Sequence, residues 1–287
     1  MNSVLEVRSL EKTYPKFKLE NISFSLKEGC ITGFIGVNGA GKTTTLKSIL
    51  GLNNIDSGDI LFWGKNLNEN SAEIKNSIGV VLGENCFYEN LTISEMKSII
   101  APAYSSWSES EFKDFMDKFS LDCKQKISTL SKGMKMKVAL AIALSHEAEL
   151  LIMDEPTSGL DPKIRKQLMD ILLEFMKKGS NRSIFFSTHI TSDLDRVADE
   201  LILIDEGKLI FNREKDELLQ THKIVKGKMK YLDEIDRECL KGIQITDFGF
   251  KALTTNIDAL QAKTKGIVFE NSTIEDIMLA YITGGSK

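Results

Sequence analysis

The chain has 287 residues, 42% of them apolar, with 4 prolines and a formal net charge of -4. That is enough for one large α/β domain with an appendage or for two modest domains, and an acidic balance without a basic tail argues against bulk nucleic-acid binding. The cysteines (Cys30, Cys86, Cys123, Cys239) form no C-x-x-C pair, so a reducing cytosol is expected rather than a zinc site or a disulfide framework.

Met1 to Arg8 carries no basic stretch followed by an apolar core, so no signal peptide is expected. No window approaches about 18 uninterrupted apolar residues, so no membrane span is expected either. Residues 4–10 and 19–26 alternate apolar and polar side chains, as half-buried antiparallel strands do, and Lys27-Glu28-Gly29 turns the chain. The β-branched, apolar run Cys30–Ile35 reads as a buried strand. It leads into Gly36-Val37-Asn38-Gly39-Ala40-Gly41-Lys42-Thr43, which fits the Walker A pattern Gly-x-x-x-x-Gly-Lys-Ser/Thr without a mismatch. Thr43 to Leu50 then reads as a helix, stopped at Gly51.

The chemistry explains the pattern. Glycines let the backbone wrap a phosphate with successive N–H groups pointing at its oxygens, and the helix N-terminus adds partial positive charge. Lys42 reaches the β- and γ-phosphates, and the Thr43 hydroxyl is a natural Mg²⁺ ligand. A nucleoside triphosphate site is expected here.

Further along, Asp56–Asp59 reads as a turn, Ile60–Gly64 as a short strand and Ser77–Leu82 as a buried parallel strand. From about 92 to 147 the pattern is helical. Thr92 with Glu95 and Ser108 with Glu111 read as capping boxes. Phe112, Phe115, Met116 and Phe119 fall at core spacing, and Lys135–Ser145 reads as an amphipathic helix. A buried strand Leu150–Met153 runs into Asp154-Glu155, where the first acid can hold Mg²⁺ and the second can polarise an attacking water. A helix over 162–178 opens on Pro162. Strands at Ser183–Thr188 and Leu201–Ile204 follow, and a hairpin turn at Asp205–Lys208 leads into Leu209–Phe211. Beyond about residue 221 a small α/β segment is expected, with strands at Ile243–Phe248 and Gly266–Phe269 and a helix at Ile274–Tyr281.

Five ordered motifs carry a resemblance: the Walker A loop, Leu130-Ser131-Lys132-Gly133-Met134, Leu150–Glu155, Ser158-Gly159-Leu160-Asp161, and His189 after a strand. Over residues 1 to about 220 the chain resembles the ATP-binding subunit of an ABC transporter. The run Leu130–Lys137 and the tail Thr273–Met278 most resemble bacterial ABC-2-type exporters. The resemblance implies an α/β P-loop NTPase fold: a RecA-like parallel core, an antiparallel β subdomain, a helical subdomain at about 85–147 within an ABC domain at 1–221, and a small C-terminal α/β extension at 222–287.

It also implies roles. Glu155 is the general base, and His189 and Lys42 act on the γ-phosphate. Tyr14 stacks on adenine, and Gly36, Asn38, Gly39, Ala40, Gly41, Lys42, Thr43 and Thr44 hold the nucleotide. Thr43 and Asp154 hold Mg²⁺. Ser131 and Gly133 bind the γ-phosphate of the opposite subunit, and Ser158 and Asp161, the latter a nucleotide-site residue, form the loop that passes between the two active sites, so two ATPase subunits, identical or different, are expected to close over two ATP molecules. Transmembrane permease subunits on separate chains, a place at the cytoplasmic face of the membrane and no nucleic-acid partner are implied as well. Two departures stand out. Lys132 and Met134 replace the first Gly and the Gln of the usual Leu-Ser-Gly-Gly-Gln wording. Gly83-Glu84 stands where the family places a Mg²⁺-touching glutamine, which leaves Glu84 as a candidate substitute ligand. The competing class is a soluble ABC-type ATPase acting on ribosomes or DNA. The chain has neither the second nucleotide domain nor the long coiled-coil insertion those relatives carry. A P-loop GTPase is a third reading, without an Asn-Lys-x-Asp guanine reader to support it.

Overall fold

The computed structural model describes residues 2–83, 87–263 and 266–283. In chain order the elements begin with β1 (Ser3–Tyr14), β2 (Phe17–Lys27), β3 (Ile31–Ile35), α1 (Lys42–Ile49), β4 (Ser57–Phe62), β5 (Lys65–Asn66), α2 (Ser71–Asn76) and β6 (Ile78–Val81). A helical stretch follows with α3 (Ile93–Ile100), α4 (Glu109–Phe119) and α5 (Lys132–Leu144). The chain then returns to the body through β7 (Leu150–Asp154), α6 (Pro162–Lys177), β8 (Ser183–Thr188), α7 (Thr191–Val197), β9 (Glu200–Asp205), β10 (Lys208–Glu214) and α8 (Lys215–Thr221). It ends with β11 (Lys223–Gly227), α9 (Met229–Leu232), β12 (Lys241–Thr246), β13 (Gly249–Thr254), α10 (Ile257–Lys263), β14 (Val268–Asn271) and α11 (Ile274–Thr283).

A six-stranded sheet in the order β10-β9-β3-β8-β7-β6 forms the centre, parallel except for the antiparallel edge strand β10. Its inner strands are apolar on both faces because both are covered. Alternate residues go to different cores: Phe34, Ile152, Phe185 and Ile202 to one side, and Ile35, Leu151, Phe186 and Leu203 to the other. The first side is roofed by the antiparallel sheet β2-β1-β4-β5 and by α1. Phe24 of that sheet meets Phe34 and Phe185 with ring centroids 6.1 and 5.6 Å apart. Each such ring contributes roughly 1.5–3 kcal/mol of apolar burial. The second side is covered by α4 to α7.

Three local expectations change. Ser57, Gly58 and Asp59 are part of strand β4 rather than a turn, drawn in by pairing with Arg8 and Glu11 of β1. Thr92 and Glu95 form the reciprocal capping box, but Ser108 acts as a one-way cap on the Glu111 N–H, because the Glu111 carboxylate is taken by Lys178 at 2.8 Å. Helix α5 is not amphipathic in its second half, since every residue from Val138 to Leu144 is buried. Periodicity does not distinguish a helix buried on one face from one enclosed by neighbours on all sides.

The C-terminal segment forms a sheet in the order β12-β13-β11-β14, all antiparallel. Strand β13 and helices α9 and α10 were not legible in the sequence. One face of this sheet, with Phe250, Ala252 and Val225, closes a small core with Leu232, Ile235 and Leu260. The opposite parity, Leu253 and Ile224, joins α11 residues Ile274, Ile277 and Met278 in the main core. Tyr281 of α11 packs edge-on against Phe211 and donates its hydroxyl to buried His222 Nε2 at 3.0 Å. Among the described residues no helix is long and apolar enough to cross a membrane.

Candidate nucleotide site

The carboxyl ends of β3, β8 and β7 lie side by side, because these strands are neighbours in the parallel sheet. Open α/β sheets hold ligands at this edge. After β3 the backbone turns tightly. A Cβ at Gly36 would sit 2.4 Å from the Ile204 carbonyl, and one at Gly41 would sit 2.8 Å from Leu19 Cδ2 and 2.9 Å from Phe17 Cζ. Gly41 also has φ +116°, a conformation open to glycine, where it caps α1. Gly39 faces open space: apart from its chain neighbours, no atom of the described residues lies within 4 Å of where its Cβ would be. The loop is therefore packed from below and bare above. The β9–β10 hairpin braces it, since Gly207 N–H donates to Ala40 O at 2.9 Å and Gly207 O accepts from Glu20 N–H at 2.8 Å.

Lys42 is 5% exposed and points back into the loop, donating to Gly36 O at 2.8 Å and pairing with Glu155 Oε1 at 3.1 Å. The other Glu155 oxygen accepts from His189 Nδ1–H at 2.7 Å. Glu155 has φ +49°, uncommon for a residue with a side chain. Its N–H is held by Ser187 Oγ at 2.8 Å. Ser187 in turn donates to Asp154 Oδ1 at 2.6 Å, and Thr43 donates to Asp154 Oδ2 at 2.8 Å. Lys42, Thr43, Asp154, Glu155 and His189 therefore form one connected cluster at the loop. Thr44 follows in the first turn of α1, and Asn38 lies within the loop itself. Ser187 was missed as a site residue. Its signal was positional: it stands opposite Asp154 in the β7–β8 register, which only the strand order reveals.

Tyr14 ends β1, half-exposed, with Lys12 Nζ 5.4 Å from its ring centre. Ser131, Gly133 and Asp161 do not join the cluster. Ser131 is exposed and caps α5, accepting from Met134 N–H at 3.3 Å. Asp161 caps α6, accepting from Lys163 and Ile164 N–H at 3.0 and 3.1 Å. Gly133 is buried against Ile164. Glu84 lies outside the described residues. His146 and His222 are both buried away from the site. His146 stacks on Tyr104 with centroids 3.9 Å apart, and burial holds both imidazoles below their usual pKa.

A glycine-lined phosphate loop at a helix N-terminus, with an acid pair at the end of a neighbouring parallel strand, defines a P-loop nucleoside triphosphatase. The family model described as ABC transporter matches residues 19–158. The bacitracin transport ATP-binding protein BcrA of Bacillus licheniformis is 37% identical over 213 residues, covering 73% of this chain and 69% of that protein. The lantibiotic transport ATP-binding protein SrtF of Streptococcus pyogenes is 34% identical, over 74% of this chain and 92% of its own length. A solved ATP-binding subunit of an ABC transporter superposes with a TM-score of 0.68 at 31% identity, covering 76% of this chain and 92% of that one. The chain belongs to the ABC transporter ATP-binding proteins and is an ATPase of that family.

Proposed function

We propose that this chain hydrolyses MgATP in a pair of ATPase subunits and thereby drives export through separate membrane subunits. The observation that carries the reading is Glu155, held between Lys42 at 3.1 Å and His189 at 2.7 Å beside the phosphate loop. In that position Glu155 takes the proton of the attacking water. Lys42 and the loop N–H groups meet the charge that develops on the phosphates, and His189 fixes the orientation of the carboxylate. The paired oxygens of Thr43 and Asp154, 2.8 Å apart, are a hard-donor set that suits Mg²⁺. Bound there, the ion supplies neutralisation of phosphate charge. Tyr14 offers its ring to adenine.

The loop is bare above Gly39, so the γ-phosphate needs donors from elsewhere. The exposed start of α5, with the Ser131 hydroxyl at its cap, has the chemistry to supply them from a second chain, and the turn bearing Asp161 would pass beside it. Residues 1–221 serve as the ATPase unit, with 85–147 as its helical subdomain and 222–287 as an extension fixed to it. Relatives named for bacitracin and lantibiotic transport make antibiotic-like compounds the substrate class to try first, and they favour a membrane-bound assembly over a ribosome- or DNA-acting one.

The test is the solution mass of the chain and of Glu155→Gln with and without MgATP, alongside phosphate release. Wild type is expected to hydrolyse ATP. Glu155→Gln is expected to lose about 10²-fold or more of the rate and to accumulate as a dimer. A variant that stays monomeric at saturating MgATP overturns the paired-site reading.

A further inference from the structure

Two contacts of the first turn of α5, among those of the described residues, join it to the segment after β7. A Cβ at Gly133 would lie 2.6 Å from Ile164 Cδ1, so the helix backbone rests directly on that side chain. The end of the Lys132 side chain covers Gly159: a Cβ there would lie 2.9 Å from Nζ, 3.4 Å from Cε and 3.5 Å from Cδ. Gly159 has φ +70° and sits inside a run of tight turns that begins at the catalytic carboxylate. Ser158 N–H donates to Glu155 O at 3.2 Å, Leu160 N–H to Thr157 O at 3.1 Å, and Asp161 then caps α6. A cavity of about 340 Å³, lined by Lys132, Met136, Gly83, Glu155 and Ser158 among others, separates this part of α5 from the ends of β6 and β7. Across that gap the helix start is connected to Glu155 through the turn 158–164.

We propose that Lys132 is a positioning residue: it clamps the Ser158–Asp161 turn to the start of α5, so that the two move as one body and set the place of Glu155. The proposal rests on the paired-site reading above. When Ser131 engages the nucleotide held by a second chain, the displacement reaches Glu155 of its own chain through Lys132 and Gly159. Binding of ATP to the loop of the same chain does not pass through this contact. The clamp therefore acts on kcat and leaves KM alone.

The experiment compares wild type, Lys132→Ala and Lys132→Arg as full-length chains, measuring kcat, KM for ATP and the thermal midpoint. It also measures the MgATP-dependent mass of Glu155→Gln with and without Lys132→Ala. Lys132→Ala is expected to lower kcat about tenfold while KM stays within about twofold and the midpoint is unchanged. Lys132→Arg, which keeps a long cationic arm, is expected to recover kcat to within about twofold of wild type. The Glu155→Gln dimer is expected to form with either residue at 132. A Lys132→Ala chain with wild-type kcat, a loss that follows the midpoint or KM, or a failure of arginine to rescue overturns the assignment while leaving the paired sites intact. A Glu155→Gln chain that remains monomeric removes the paired sites and the proposal together.

Discussion

Among the described residues two four-stranded antiparallel sheets stand out, and they do different work. The sheet of β1, β2, β4 and β5 lies flat on the parallel core and reaches the phosphate loop: Phe17 and Leu19 of β2 are the side chains beneath Gly41. The sheet of β11 to β14 stands at the far end of the chain, with one face turned into its own small core and the other into α11. Its attachment runs through Ile224 and Leu253, which enter the main core with α11, and through Tyr281, Phe211 and His222 beside them, rather than through the nucleotide cluster. A sheet architecture is thus no guide to role. The difference lies in which side chains touch the glycine loop.

The strongest way to break this comparison is at the contact itself. Gly41→Ala places a methyl group 2.8 Å from Leu19 and 2.9 Å from Phe17 at φ +116°. It is expected to abolish ATP binding, measured by nucleotide titration, by about 10²-fold or more. The counterpart on the other sheet is Phe250→Ala, which empties the small core where Phe250 is 3% exposed. It is expected to cost about 3–5 kcal/mol in denaturant unfolding of that lobe while ATP affinity stays within about twofold. A large loss of ATP affinity there would mean that the lobe shapes the site after all.

A smaller effect is expected from Tyr281→Phe, which removes the hydroxyl donated to buried His222. About 1–2 kcal/mol of stability should be lost, read from the thermal or denaturant midpoint, with kcat unchanged. The smallest effect concerns pH. Burial lowers the pKa of both His146 and His222 from 6.5. Above that value each imidazole is neutral folded or unfolded and adds no pH dependence. As the pH falls through it, the unfolded chain takes up protons first, so stability declines toward the lower folded values. The melting temperature should drop between about pH 7.5 and pH 5.5, and replacing both histidines with glutamine should flatten that slope.

The nucleotide loop was legible because a contiguous stretch of residues builds it. Gly36 to Thr43 needs local backbone freedom and a helix start, and both are written in neighbouring positions. Asp154-Glu155 was legible for a similar reason: a buried apolar strand announces its own end. Ser187 was not, because its role depends on β8 lying beside β7, and nothing in its neighbours along the chain reports that. The burial of α5 on every side and the drawing of Ser57–Asp59 into β4 escaped for the same cause, since both come from segments distant in the chain. The clamp of Lys132 on Gly159 joins positions separated by the whole of α5 and β7.

The sequence by itself determined the phosphate loop, the acid pair, the order of the motifs and the period of most elements, since these depend on residues within a few positions of one another. Only the tertiary structure decided which strands are neighbours, what braces the loop and how the C-terminal sheet divides its faces between two cores. Those outcomes depend on non-local packing, where apolar surfaces far apart in the chain find partners by shape and area rather than by adjacency.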